Sequence, residues 1–336
     1  DMEIVDADVK FIGNPNIPLG WAVAGGGDLD GDGFDDLAFG HHRAYGGDDG
    51  AAAVFMGAAS MPEEIDIGDA PWKFRGAEEE GAGYALDIVG DVDGDGVDDL
   101  LVGAPETPSG DGAAYLVPGA GRTGIAGGEM SLEDVSIRLS GEVAESRGDD
   151  AAGSVISAVG DLDGDGFADM AIGAPASDSG NGGRSGAVWI VFGRSQGLGD
   201  RATSASLNDV ALRLVGDVAG AEAGASVAAS GDVTGDFQTD LLVGAPGKTA
   251  PNDEVSGAVY LIGDFAALRS SVGDTVDLSS AQMVIYGNES DDSFGASVSA
   301  VEDIDGDGRS EILIASPNHD YNGSKDSGAA FLFWGL

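Results

Sequence analysis

Cysteine is absent from the 336 residues, which excludes a disulfide framework and a thiolate metal site. Basic residues are scarce. Fifteen Lys and Arg stand against 60 Asp and Glu, a formal charge of −45. Affinity for DNA or RNA rests on basic surface that neutralises phosphates, so nucleic acid is excluded as a partner. No run of 18 apolar residues occurs, which predicts no direct membrane insertion by a helix. The opening DMEIVDADVK lacks the basic-then-apolar order of a secretory leader and reads as a mature or trimmed start. Histidine occurs three times, at 41, 42 and 319. No Ser-His-Asp set, phosphate loop or closed zinc set can be assembled from this inventory.

What the chain has in quantity is glycine, at 58 residues, and aspartate in a recurring pattern. The stretch DLDGDGFDD from Asp28 to Asp36 puts carboxylates at alternate positions with glycine between them. Asp28, Asp30 and Asp32 offer side-chain oxygens, Phe34 a backbone carbonyl and Asp36 a closing carboxylate. Oxygens at this spacing suit calcium, which takes six to eight of them at flexible angles, better than magnesium. The pattern returns four times. The second copy uses Asp91, Asp93, Asp95, Val97 and Asp99, and the third uses Asp161, Asp163, Asp165, Phe167 and Asp169. The fourth uses Asp232, Thr234, Asp236, Gln238 and Asp240, and the fifth Asp303, Asp305, Asp307, Arg309 and Glu311. About five Ca²⁺ ions are therefore expected as cofactors. The Asp232 copy should hold its ion most weakly, because Thr234 removes a charge and Phe237 replaces a glycine at the sharpest turn.

The copies start 63, 70, 71 and 71 residues apart, and self-similarity at a fixed period signals a repeat architecture. Each copy is preceded by an alternating run such as YALDIVG and followed by an apolar run such as LLVGAP. A polar loop, a third run such as GAAYLVPG and a fourth such as IRLSG complete the unit. Short β-branched and aromatic runs between turn residues read as strands. Four antiparallel strands per unit make one propeller blade.

FGASV, the DxDGDG loop, GAP and GAVY, taken together, resemble the FG-GAP repeat of integrin α-subunit heads and their bacterial relatives. The resemblance implies an all-β fold in which loops between the first and second strands of each blade hold calcium. It also implies recognition at the opposite face. Heads of that type have seven blades, whereas five motifs are present here. The expected fold is a single domain over 1–336, a β-propeller of five four-stranded blades. VKFIG at the N-terminus reads as a fourth strand and AAFLFWG at the C-terminus as a third, so the N-terminal strand is expected to complete the last blade and remove exposed edges. The alternative is part of a seven-bladed propeller.

On the face opposite the calcium loops, the links between second and third strands carry His41, His42, Arg43, Tyr45, Arg184, Lys248, His319, Tyr321 and Lys325. That is a notable share of a small basic inventory, and it marks these residues as candidate ligand contacts. Arg147, Gly148 and Asp149 form an RGD tripeptide on the same face. The reading is a calcium-binding recognition or adhesion module, extracellular, at a cell surface or periplasmic, with a carbohydrate or protein ligand. The rival is a polysaccharide lyase or hydrolase using His41, His42, Arg43 or Tyr45 in acid–base roles.

Overall fold

The computed structural model describes residues 7–44, 47–120, 127–142, 150–178, 181–195, 204–251 and 255–335. After β1 (Lys10–Ile12), each copy of the motif opens an antiparallel meander. The first runs β2 (Ala22–Gly27), β3 (Asp36–His41) and β4 (Ala51–Phe55), then a short β5 (Glu64–Asp66), then β6 (Trp72–Arg75). The second has β7 (Leu86–Gly90), β8 (Asp99–Ala104), β9 (Ala113–Val117), β10 (Gly128–Ser131) and β11 (Ile137–Ser140). The third has β12 (Val155–Gly160), β13 (Asp169–Ala174), β14 (Ala187–Val191), β15 (Ser204–Ser206) and β16 (Leu212–Val215). The fourth has β17 (Ser226–Ala229), β18 (Leu241–Ala245), β19 (Ala258–Ile262), β20 (Thr275–Asp277) and β21 (Met283–Tyr286). The last has β22 (Ser297–Val301), β23 (Glu311–Ser316) and β24 (Ala329–Phe333).

The third strands of the first four units are buried along their whole length, and a strand covered on both faces reads as a continuous apolar run. The core is accordingly a series of layers between neighbouring sheets. Leu101, Leu116, Ile172 and Trp189 share one such layer, and Ile190, Leu214, Val243 and Tyr260 the next. The last sheet differs. Leu313, Leu332 and Trp334 keep exposed faces there.

The short strands β5, β10, β15 and β20, which sequence reasoning treats as variable linker, tie neighbours together. β10 pairs in parallel with β6, β15 with β11 and β20 with β16, each adding a fifth strand or a strap from the following repeat. Ile67, Leu132, Leu207 and Leu278 follow these strands and are fully or almost fully buried. That recurring apolar residue is the signal by which the straps could have been found.

The N-terminal strand corrects an expectation. β1 does not add to the three-stranded last sheet; it pairs in parallel with β5, Phe11 opposite Ile65. It thus stands to β5 as β6 stands to β10, the position of a fourth strand in a preceding sheet. Its apolar side chain already packs, half-buried, on the first sheet, where Phe11 lies 4.9 Å from both Phe39 and Phe55. The pattern of a strand tells its place within a repeat but not which sheet receives its hydrogen bonds.

Glycines form the seams. Gly83, Gly153 and Gly224 donate to the carbonyls of Gly103, Gly173 and Gly244 across their own sheets, and parallel bridges join Gly112 to Ala152 and Gly186 to Ala223 between repeats. Gly153 has φ +88°, and a Cβ there would lie 2.2 Å from the Ala113 carbonyl oxygen. Gly153→Ala should therefore lose at least about 2 kcal/mol of stability through backbone strain and overlap, seen as a lower urea midpoint; an unchanged midpoint would show that the seam can open.

Candidate metal centres on the inter-strand loops

Each acidic motif forms the loop between the first and second strands of its sheet. The backbone builds the cage before any ion enters it. In the first loop Asp28 Oδ1 accepts from the Gly31 and Asp32 amides at 2.7 and 3.1 Å, and its Oδ2 from Gly33 at 2.8 Å. Asp30 then accepts from Asp32, and Asp32 from Phe34. The closing Asp36 takes the Leu29 amide on one oxygen and Gly57 on the other. The same bonds around the first aspartate recur at Asp91, Asp161, Asp232 and Asp303. The first glycine of the loop has φ between +76° and +83° in every copy.

With one oxygen on the amides, the remaining oxygens turn inward. Asp95 Oδ2, Thr234 Oγ1, Asp240 Oδ1 and Glu311 Oε1 are buried without a hydrogen-bond partner. Buried acceptors left unpaired are costly, and a hard cation that takes several oxygens would satisfy them. Oxygens of Asp28, Asp30 and Asp32 lie within 4.8 Å of one another, as do those of Asp91, Asp93 and Asp99. Asp161, Asp163 and Asp169 form a third such group, and Asp303, Asp305, Asp307 and Glu311 a fourth. The residues fit a calcium ion. The Asp232 loop, with Thr234 in the third place, supplies no such acidic group among the described residues.

Crowded charge shifts these carboxyls. Burial raises Asp99 and Asp169 to about 7, against the pull of the Gly119 and Gly193 amides and with help from neighbouring aspartates. Burial also raises Asp36 and Asp240. At Asp28 burial works the same way, but the amides of Gly33, Gly31, Asp32 and Asp30 together bring the group below its ordinary value.

The seventh residue has a role the sequence does not reveal. Sequence reasoning assigns it a coordinating carbonyl; in the second, third and fifth copies its side chain, Val97, Phe167 or Arg309, also packs on the preceding loop. A Cβ on Gly94 would meet the Phe167 ring at 2.4 Å, and one on Gly235 the Arg309 guanidinium at 2.8 Å. Loop-to-loop bonds run beside these contacts, from Asp98 to the Asp28 carbonyl, Ala168 to Asp91 and Ser310 to Asp232.

The opposite face is less uniform. His41 and His42 stack at 5.6 Å, and His42, buried, meets Trp21 at 4.2 Å and Tyr84 at 5.4 Å. Burial lowers the His42 pKa. Trp21 is 53% exposed, and neither it nor Tyr84 is a sequence candidate, because both lie outside the links between second and third strands. Arg43 pairs with Asp48 and Arg184 with Glu222. Lys248 is buried against Asp217 at 2.6 Å, with Tyr260 donating to the same carboxylate at 2.5 Å. His319 Nδ1 lies 2.6 Å from Asp292, whose hydrogen bond raises the histidine's pKa. Lys248 and His319 are thus held by the fold. Tyr321 and Lys325 are exposed on the last repeat. Tyr45, Arg147, Gly148 and Asp149 lie outside the described residues.

The Asp232 loop keeps the common backbone path despite its sequence. Phe237 adopts φ +67° where the other loops have glycine near +90°, and its ring is 95% exposed. A left-handed residue with a Cβ costs about 1–2 kcal/mol, and no packing offsets it here. Phe237→Gly should stabilise the protein by about 0.5–1 kcal/mol after the unfolded-state entropy of glycine is counted. A lowered melting temperature would show that the ring makes contacts in solution that compensate the strain.

Comparison with known proteins follows the same repeat. The FG-GAP repeat model matches residues 82–117, 152–191, 223–262 and 294–333. The first copy falls outside these segments, though its loop makes the same bonds. The chain is 36% identical to integrin alpha-4 of Xenopus laevis over 111 residues, 32% of this chain and 9% of that protein. It is 34% identical to integrin alpha-PS5 of Drosophila melanogaster over 172 residues, 50% of this chain and 15% of that protein. Integrin alpha-PS2 of the same fly is 31% identical over 193 residues, 55% of this chain and 12% of that protein. The chain spans only a small part of the length of these relatives. The chain thus carries four FG-GAP repeats, each laid over a unit whose glycines and aspartates make the same bonds.

Proposed function

We propose that the chain is a calcium-binding recognition module of the β-propeller type, acting outside the cell or at its surface. The observation that carries the calcium reading is the set of buried, unpartnered oxygens converging inside loops whose backbone is already fixed. Calcium would neutralise them and join neighbouring loops into one rigid face. The whole of 1–336 acts as a single unit in this reading, because four layers of the core are each shared between two successive repeats. The Asp232 loop, one charge short, binds more weakly than the loops at Asp28, Asp91 and Asp303.

The ligand is a carbohydrate or protein held at the face opposite the loops. Support comes from Trp21, an exposed aromatic beside His42, His41 and Tyr84. An apolar ring with polar neighbours suits stacking on a sugar or on an aromatic side chain. The lyase or hydrolase reading has weaker support: His319 is committed to Asp292 on the last repeat while His41 and His42 stack on the first. Binding to a glycan array with and without calcium, in wild type and Trp21→Ala, tests the ligand assignment. Loss of signal in the variant is expected; equal binding would move the ligand elsewhere.

Calcium that binds only the folded state stabilises it by about 2.7 kcal/mol per site at a hundredfold excess over Kd. Excess chelator should therefore lower the melting temperature markedly, and an unchanged melt would remove the structural role. Protons provide a second measurement. Asp99 and Asp169 sit near 7 in the metal-free fold against 3.8 ordinarily, so these groups favour the metal-free fold at low pH and that contribution is lost as pH rises through about 7. Calcium in the second loop would hold Asp99 ionised, and calcium in the third would do the same for Asp169. Adding it to the metal-free protein at pH near 7 should release protons, and affinity should rise with pH up to roughly 8 and then level off. Calcium uptake without acidification of a weakly buffered solution would contradict this.

A further inference from the structure

The third loop has an arginine from another sheet set against two of its own aspartates. Arg269 Nη1 lies 2.8 Å from Asp163 Oδ2 and 2.5 Å from Asp165 Oδ2. These are the oxygens that the amides leave over: Asp163 Oδ1 accepts from Asp165, and Asp165 Oδ1 from Phe167. Arg269 donates a hydrogen bond to Asp165 Oδ2, whose equivalent in the second loop, Asp95 Oδ2, is buried with no hydrogen-bond partner; Asp163 Oδ2 meets the guanidinium as an ion pair without a hydrogen bond. The Asp163 side chain is fully buried beneath the guanidinium.

The fourth sheet delivers this arginine by leaving the path its neighbours follow. After the third strand of the second and third sheets, Ala120 and Arg194 donate to the Leu29 and Val92 carbonyls of the preceding loop. After β19, Asp264 turns at φ +58° into a short helix, Phe265–Leu268, and a 3-10 turn, Arg269–Ser271. Phe265 is fully buried and anchors the excursion. Among the described residues, no bond from Thr239 to the Asp161 carbonyl repeats the loop-to-loop link found at the other junctions. The Arg269 clamp takes the place of that link.

We infer that Arg269 is the resident cation of the third loop, so that calcium enters there only by displacing it. This rests on the reading that the loops are calcium sites. A calcium ion within 2.3–2.6 Å of the oxygens of Asp163 and Asp165 would stand where the guanidinium now is, and two cations cannot share those atoms. The arginine carries one charge against calcium's two and offers donors rather than an empty coordination sphere, so it closes the loop without saturating it. The third loop joins its neighbouring sheet independently of calcium, and the chain holds fewer tight ions than it has motifs.

The test is calcium titration by calorimetry with equilibrium dialysis, on the full chain and on Arg269→Gln. The variant should bind one more tight ion than wild type, its third loop gaining affinity by a factor on the order of ten or more, within the range of competing ligands. Adding Asp163→Asn to Arg269→Gln should remove the gained ion. Arg269→Lys, which keeps the charge and most of the stem but not the fork, should give an intermediate affinity at this loop and serves if the glutamine variant does not fold. Equal numbers of tight ions with superimposable isotherms in wild type and either variant would overturn the role of Arg269 while leaving the calcium reading intact. No tight ion in any of the proteins would overturn both. Retention of the gained ion in the double variant would place it outside this loop and overturn the assignment.

Discussion

Everything on the loop face depends on one interaction: the capture of successive backbone amides by the first aspartate of each motif. Asp28 takes three, and its four counterparts repeat the arrangement. That capture curls the chain tightly enough that the third, fifth and ninth side chains face inward. It requires left-handed backbone at two positions, which is why glycine recurs and why Phe237 is strained when it does not. The cage is thus assembled by neutral donors. The negative charge it concentrates is left for a cation to neutralise.

Two kinds of cation suit that charge. Where oxygens remain unpartnered, as at Asp95 and Glu311, a divalent ion is the chemistry that fits. At Asp163 and Asp165 the chain brings its own cation from the next sheet. The raised carboxyls at Asp99 and Asp169 express the same strain in a third way, by holding on to protons. Charge crowding underlies the fit to a divalent ion, the raised carboxyls and the Arg269 contact between sheets.

The basic residues of the opposite face follow a different logic. Lys248 and His319 come from corresponding places in their repeats, just after the second strand, and each meets a carboxylate from the preceding link. Arg138 and Arg213 on fourth strands likewise reach Glu80 and Glu142. In a chain with so few cations, a large share stitches one repeat to the next. Trp21, by contrast, keeps much of its ring in solvent beside His42, a pairing made by two separate stretches of chain.

The sequence by itself determined the all-β character, the four-strand unit of the first four repeats, the loop positions and the ligand-type residues within each loop. All of these are local: alternating strands, glycine at left-handed turns and aspartates that bond amides three to five residues ahead. The period then copied one unit along the chain. Only the tertiary structure decided what crosses between units. It gave β1 to β5 rather than to the last sheet, turned the side chains of Val97, Phe167 and Arg309 onto the preceding loops and set Arg269 over a loop more than a hundred residues earlier in the chain. Such contacts follow from how sheets are placed side by side, and no spacing within a repeat encodes which distant side chain will reach across.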